Sequence, residues 1–554
     1  MKPHYDVLIV GSGFGGAVMA ARLGAHLADR DRSIAVFDKG SDPTGRFDPS
    51  ASGSLNESGN TFRHTLDPAY LADLGEVFTD LEGAYRPGHA SMNVVAGKGL
   101  GGGSLLYDGV SLRTPAAVFD RRRDGRRLWP AAYSREALDP DYAEVEAQLK
   151  VHRMAWTDAD VPHWQLMTKR DYVFAEGCQR IGATAVGLKL ADDGDANEGW
   201  WNQGQRFEGR QDLTKNYLEM ARRSGVVFET RCEVTEILPT ADGYVVRGVD
   251  RRDGTRAFEV TCRVLVIAAG CVASAGLLLR SNENFVGERT LDPAGENAPS
   301  VLGRRLSGNG DYGVMGIVGA SYERPVHGQR GKPMSSFCPS FWREHQFVLI
   351  PFYAAPMYPA LGQITSLLPA ADPEATGRGS TAIARGPDGA ALPDWGLGYK
   401  ERLRLFSTKM LTMGCLALDD GEGLIELDAA ERITVQWRET SRETESRWSA
   451  AVDTMRRIYE ALGGEMFADG YRTDGTVNSS HPLGACPMAD DPNHGIVDPG
   501  GECFRNPGLF VMDGSIVPGA LGVNPSITIA AVAERCARRL IEGRGTASIL
   551  DRLS

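Results

Sequence analysis

The chain has 554 residues, 42% hydrophobic and 24% charged, enough for two or more domains with substantial cores. A formal net charge of -12 argues against nucleic acid or an anionic membrane surface as a partner. The nine cysteines form no C-x-x-C pair and no metal-ligand spacing with histidine, so reduced thiols and no metal site are expected.

Tyr5 to Gly16 reads YDVLIVGSGFGG, a short apolar strand running into Gly11, Gly13 and Gly16. In a dinucleotide turn the first glycine allows the tight bend, the second lets backbone approach a pyrophosphate, and the third permits close packing of helix on strand. The helix that follows has an apolar face of Ala17, Val18, Ala20, Ala21 and Leu23, and its N-terminus favours an anion. A second strand, Ser33 to Phe37, ends at Asp38, about 20 residues beyond the last glycine, where a carboxylate accepts both ribose hydroxyls. The strand begins so near the first residue that no leader is legible, and a cytoplasmic location is expected; a chain already relieved of an export signal would read the same.

Gly97 to Ser104 (GKGLGGGS) is a second glycine-dense run, which implies close backbone contact. Arg121 to Arg127 (RRRDGRR) reads as a solvated loop. Val226–Thr230, Glu233–Leu238 and Tyr244–Val249, separated by turn signals that include Asp242-Gly243, predict a β-meander. It leads into Val264–Ala269, an apolar strand suited to a parallel sheet, and Gly270 opens a helix through Leu279.

Phe347 to Ala371 carries no charge, but Pro351, Pro356, Pro359 and Pro369 interrupt it too often for a membrane-spanning helix. It reads either as a buried strand and packed loop or as a pocket wall built from Phe352, Tyr353, Met357 and Tyr358. Thr365–Tyr399 has the composition of a long loop or lid, and Ser446–Gly463 the periodicity of an amphipathic surface helix. Near the C-terminus come VNSSHPLGACPM at Val477–Met488, a strand at Leu509–Met512 ending in Asp513-Gly514, and GVNPSITI at Gly522–Ile529, with a helix from about Ser526 to Leu540. Ligands of open α/β sheets meet the C-terminal ends of strands, which puts Asp513 and Asn524 at a cofactor.

Five features together resemble the glucose-methanol-choline (GMC) flavin oxidoreductases, most of all their cholesterol oxidase branch. They are the first glycine turn, GKGLGGGSLLYDG at Gly97–Gly109, the Val264–Gly270 strand and turn, His481-Pro482-Leu483-Gly484, and the segment Gly508–Arg535. The resemblance implies an α/β (α+β overall) fold. A discontinuous Rossmann-like FAD-binding domain is expected at 1–44, 215–305 and 470–554, with flavin contacts from 97–109. A substrate-binding domain with a large, mostly antiparallel sheet covered by helices is expected at 45–214 and 306–469. The family pattern implies Asp38 at the adenosine ribose, the Val234 backbone at the adenine, Gly102 and Gly103 against the flavin, and Asp513 near the ribityl and pyrophosphate region. Ser104, Gly270 and Gly514 complete the expected cofactor-binding set, with His481 and Asn524 at the reactive edge.

Chemistry supports those last two roles. An alcohol gives up hydride readily only if its hydroxyl proton is taken up as the carbonyl forms, which calls for a group titrating near neutrality, and histidine is such a group. Asn524 can donate and accept, so it can orient the substrate oxygen or hydrogen-bond the flavin; it can equally be a plain helix cap. The helix after Pro525 presents an N-terminus that favours negative charge on a reduced flavin.

Where cholesterol oxidases have Asn and Gly after the GGGSL run, this chain has Tyr107 and Asp108, and Ser526 replaces a bulky aromatic after the Asn-Pro pair. Ser407–Leu418 carries no carboxylate to match the glutamate associated with steroid isomerisation, so isomerase activity is not expected. Gly97–Gly109 holds no histidine, so the FAD is expected to be non-covalent.

The expected reaction is FAD-dependent oxidation of a bulky apolar secondary alcohol, with a sterol-like 3-hydroxyl the best match. Hydride goes to flavin N5, the proton to His481, and dioxygen or another acceptor closes the cycle. The alternatives are a terpenoid or sugar alcohol dehydrogenase, a GMC-fold lyase with FAD that does not turn over, and an NAD-linked dehydrogenase sharing the first motif.

Overall fold

The computed structural model describes the chain apart from residues 43, 48–89, 95, 155–166, 193–208, 253, 293–299, 320–321, 329–331, 333, 353–399, 401–403, 405–407, 438–439, 470–476, 544–546 and 554. The stretch Thr365–Tyr399 and the residues Tyr353, Met357 and Tyr358 lie outside the described residues.

The apolar run at the start forms the strand His4–Val10, with Val7, Leu8 and Ile9 fully buried, as a parallel strand covered on both faces requires. It sits at the centre of a seven-stranded sheet, between Ile34–Phe37 and Arg256–Ile267, both parallel to it. Of the expected meander, Glu233–Leu238 and Tyr244–Val249 pair antiparallel within Cys232–Thr240 and Gly243–Asp250, and Arg256–Ile267 is the third strand; Val226–Thr230 does not join it, because Val227–Glu229 pairs in parallel with Ile34–Phe37 at the other edge. Its third strand does two jobs. Residues Arg256–Cys262 pair antiparallel with the meander, and Thr261–Ile267 pair parallel with the first strand. Leu509–Val511 adds in parallel beside Leu265–Ile267. The C-terminal ends of four strands therefore share one edge; Gly11 and Asp38 follow directly from two of them, and Gly270 and Asp513 come within a few residues of the other two.

The helices Phe14–Leu27 and Ser526–Glu542 pack on each other. The turn before the first of them tolerates no side chain at its first residue: Gly11 has φ +96°, and a Cβ there would lie 2.3 Å from the Ala268 carbonyl oxygen.

The second half centres on a four-stranded antiparallel sheet in the order Phe347–Phe352, Met410–Ala417, Tyr312–Ile317, Glu465–Asp469. The helix Arg442–Ala461 covers it through Trp448, Val452, Met455, Ile458 and Tyr459. This helix starts earlier than its hydrophobic periodicity indicates, because Ser441 Oγ caps the Thr444 amide at 3.1 Å and Glu443 and Glu445 favour the first turn. A six-stranded sheet, which includes Ala90–Val94, Arg304–Ser307, Gly423–Leu427 and Leu483–Ala485, joins the two halves.

The arginine-rich stretch faces solvent as expected, but as a hairpin and not an irregular loop. It is a hairpin of Arg122–Arg123 and Arg126–Arg127 whose turn residues, Asp124 and Gly125, both have positive φ. Arg121 donates to the Asp419 carbonyl at 2.9 Å and Arg127 to the Phe119 and Tyr133 carbonyls at 2.8 and 2.9 Å, so these guanidiniums fasten neighbouring loops. All nine cysteines are free and buried. No described helix is long and apolar enough to cross a membrane, and no described cluster could hold a metal ion.

Candidate active site

A cavity of about 980 Å³ runs from the strand ends of the first sheet to the face of the second. Its two ends differ in what lines them.

At the first end the wall is largely backbone. Gly13, Gly103 and Gly270 come from three distant segments, line the same cavity, and each would direct a Cβ into open space. Side chains at those positions would occupy the cavity, which fits a bound group that needs close backbone approach. Gly13 precedes the helix Phe14–Leu27, whose N-terminus has no side-chain cap. Asp38 is held in place: Oδ1 accepts from the Gly40 amide at 2.9 Å, and Oδ2 accepts from the Ser12 amide at 3.2 Å and from the Ser12 hydroxyl. Oδ1 keeps a further lone pair for a ribose hydroxyl, while both sites of Oδ2 are taken by Ser12. Ser12 Oγ also accepts from the Gly101 amide at 2.9 Å, which ties the first glycine turn to the second glycine run.

Asp513 lies at the junction of the two halves. Oδ2 accepts from the Gly270 amide at 2.9 Å and from the Ser274 hydroxyl, and Oδ1 accepts from the Ser515 amide at 2.8 Å. Burial nevertheless pushes its carboxyl above the ordinary range.

At the other end side chains make the site. His481 Nδ1 lies 2.8 Å from both oxygens of Asp311, at the start of the strand Tyr312–Ile317. His481 Nε2 lies 3.1 Å from Asn524 Nδ2. Asn524 Oδ1 is buried and has no partner within the protein, an open acceptor at the cavity wall. The helix after it begins at Ser526 with Pro525 as its N-cap and no side-chain cap, so Asn524 turns its amide to His481 instead of capping the helix. Met315, Met334, Ile350, Phe352, Leu416 and Trp448 give this end apolar walls.

The fold thus brings Gly11, Gly13, Asp38, Gly102, Gly103, Val234, Gly270, His481, Asp513, Gly514 and Asn524 to one cavity. Two expected residues stand behind its wall. A Cβ on Gly16 would meet the Gly11 carbonyl oxygen at 2.2 Å, a packing position. Ser104 is fully buried; its hydroxyl donates to the Gly101 carbonyl at 2.8 Å and accepts from the Leu213 amide at 3.1 Å, so it braces the glycine run from behind.

Tyr107 does reach the cavity, its ring edge-on to Phe14 at 5.3 Å and its hydroxyl donating to the Gln211 carbonyl. Ser526 Oγ donates to the Val110 carbonyl at 3.3 Å. Sequence reading missed Asp311. Its one signal, an Asn-Gly turn at 309–310 followed directly by an acid at a strand start, is shared by many ordinary turns.

Models of the GMC oxidoreductase family match residues 5–299 with their N-terminal part and residues 419–533 with their C-terminal part. A cholesterol oxidase of Mycobacterium tuberculosis is 26% identical over 97% of this chain and 91% of its own length. A long-chain-alcohol oxidase of Arabidopsis thaliana is 24% identical over 97% of this chain and 67% of its own. Among solved structures, pyridoxine 4-oxidase from Mesorbium loti superposes with a TM-score of 0.63 at 18% identity, covering 97% of this chain and 99% of that one, a likeness of fold.

Proposed function

Since the chain belongs to the GMC oxidoreductase family and is an FAD-dependent alcohol oxidase or dehydrogenase, we propose that it oxidises a bulky apolar secondary alcohol to the ketone, a sterol-like 3-hydroxyl fitting best. The observation that carries this reading is the array Asp311–His481–Asn524 at the apolar end of the cavity. Bound FAD would supply the two-electron acceptor for the hydride.

Gly13, Gly103, Gly270, Asp38, the Val234 backbone and Asp513 would hold the cofactor along the backbone-lined end. The substrate hydroxyl displaces the Asn524 amide from His481 Nε2, which takes its proton, while the freed Asn524 amide hydrogen steadies the oxygen as the carbonyl forms. The apolar wall excludes water from that step and favours a hydrocarbon scaffold over a sugar. His481 is the only histidine among the described cavity residues and lies outside Gly97–Gly109, in keeping with dissociable FAD.

Anaerobic mixing of holoenzyme with cholesterol, 1-dodecanol, a cyclic terpenoid alcohol and glucose tests the reading through flavin absorbance. Fastest bleaching by cholesterol supports it. Fastest bleaching by glucose contradicts the apolar substrate, and a persistent yellow spectrum with every alcohol would favour a lyase.

A further inference from the structure

We propose that Asp311 is a positioning residue that fixes the tautomer of His481 and raises its basicity, and that the turn 307–311 is a common mount for His481 and Asn524. The proposal rests on the reading of His481 as proton acceptor.

The tautomer follows from the bonding. An ionised carboxylate only accepts, so His481 Nδ1, 2.8 Å from both Asp311 oxygens, must carry a hydrogen. Nε2 then presents its lone pair to the cavity. The 3.1 Å contact from Asn524 Nδ2, a donor, agrees with that assignment. An anion beside Nδ1 also favours the imidazolium that forms when Nε2 takes a proton.

Asp311 is itself braced. Its Oδ2 accepts from the Ser480 amide at 2.9 Å, and Ser479 Oγ, which donates to the Gly308 carbonyl of the same turn at 2.9 Å, accepts from the His481 amide at 2.9 Å. The acid, the histidine and the turn before the histidine therefore form one closed unit.

Two residues earlier Asn309 reaches the other catalytic segment. Its Oδ1 accepts from the Leu521 and Gly522 amides at 2.8 and 3.0 Å, and its Nδ2 donates to the Val523 carbonyl at 2.8 Å, which pins the backbone leading into Asn524. Asp419 holds the turn from behind, its Oδ2 accepting from Ser307 Oγ and the Gly310 amide, both at 2.9 Å. The titratable group facing Asp311 from the strand Met410–Ala417 is Cys415, a thiol pushed up by burial and by the charge of Asp311, so it stays neutral. No other described carboxylate bonds His481.

The test uses ¹⁵N-histidine-labelled holoenzyme, with the His481 signals assigned by their loss in His481→Gln. Flavin reduction is followed in parallel with whichever of cholesterol, 1-dodecanol and benzyl alcohol reduces native enzyme fastest. Asp311→Asn is expected to lower the His481 titration midpoint by about 1 pH unit or more and to slow reduction by a factor on the order of 10². Asp311→Glu is expected to restore part of both. Asn309→Ala is expected to slow reduction by a factor on the order of 10 while leaving the His481 midpoint in place.

An unmoved midpoint and native rate in Asp311→Asn, with His481→Gln slow, overturn the role of Asp311 and leave the proton acceptor standing. Native rate in Asn309→Ala overturns the common mount. Native rate in His481→Gln sinks the underlying reading instead.

Discussion

The two ends of the cavity are built on different principles. The dinucleotide end is made of backbone at the ends of parallel strands, where the absence of side chains at Gly13, Gly103 and Gly270 creates the space. The reacting end is made of side chains drawn from separate segments, where Asp311, His481 and Asn524 meet through hydrogen bonds between residues far apart in the chain. A backbone site is held open by the lack of side chains, and a change there acts on cofactor binding or on folding. A side-chain site is held by polar positioning, and a change there acts on rate while the fold survives.

The sharpest way to break this contrast is to put methyl groups on two neighbouring glycines. Gly11→Ala would place Cβ 2.3 Å from the Ala268 carbonyl oxygen at a φ of +96°, so the apoprotein should lose several kcal/mol of stability, on the order of 3 or more. Gly13→Ala meets nothing in the protein, so the apoprotein should melt at the native temperature while FAD binds at least about tenfold more weakly. Thermal melts with and without FAD measure both. Native FAD affinity in Gly13→Ala would mean that the open space at Gly13 is not where the cofactor passes.

A smaller effect tests the mount beneath the reacting end. Burial pushes Asp419 up to about 6 from an ordinary 3.8, so the folded protein holds that proton more tightly than the unfolded chain. The favourable contribution is fully present below pH ~4 and is lost as pH rises through about 6, a change on the order of 3 kcal/mol. Asp419→Asn should flatten the stability profile between those values, although the amide also sets an N–H against one of the donors the carboxylate accepts. An unchanged pH profile in that variant would place the titrating group elsewhere.

The smallest expected effect separates scaffold from site within the glycine run. Ser104→Ala removes a hydroxyl bonded to Gly101 and Leu213 behind the cavity wall, so it should cost about 1 kcal/mol in stability and leave FAD affinity unchanged. Isothermal titration of FAD into the apoprotein decides it.

Legibility in the sequence follows the same division. The glycine spacing from Gly11 to Gly16, the apolar run of His4–Val10 and the meander were readable because backbone geometry forces particular residue types at particular intervals. The dual role of Arg256–Ile267 was not, since two pairing partners leave no separate mark on one alternating and then apolar strand. At the other end the motif around His481 marked a histidine that does line the cavity, but its partner Asp311 lies 170 residues away and looks like any acid after a turn. Ser104 lies inside the second glycine run, and its hydroxyl bonds Gly101 and Leu213 behind the cavity wall, a placement the motif alone does not reveal.

The central claim is that His481 accepts the proton of an alcohol. The most direct measurement is anaerobic stopped-flow flavin reduction in native holoenzyme and in His481→Ala, at matched FAD content and saturating alcohol. The account predicts full FAD occupancy in both and a reduction rate lower in the variant by a factor on the order of 10² or more. Equal rates, with His481 absent, would contradict it.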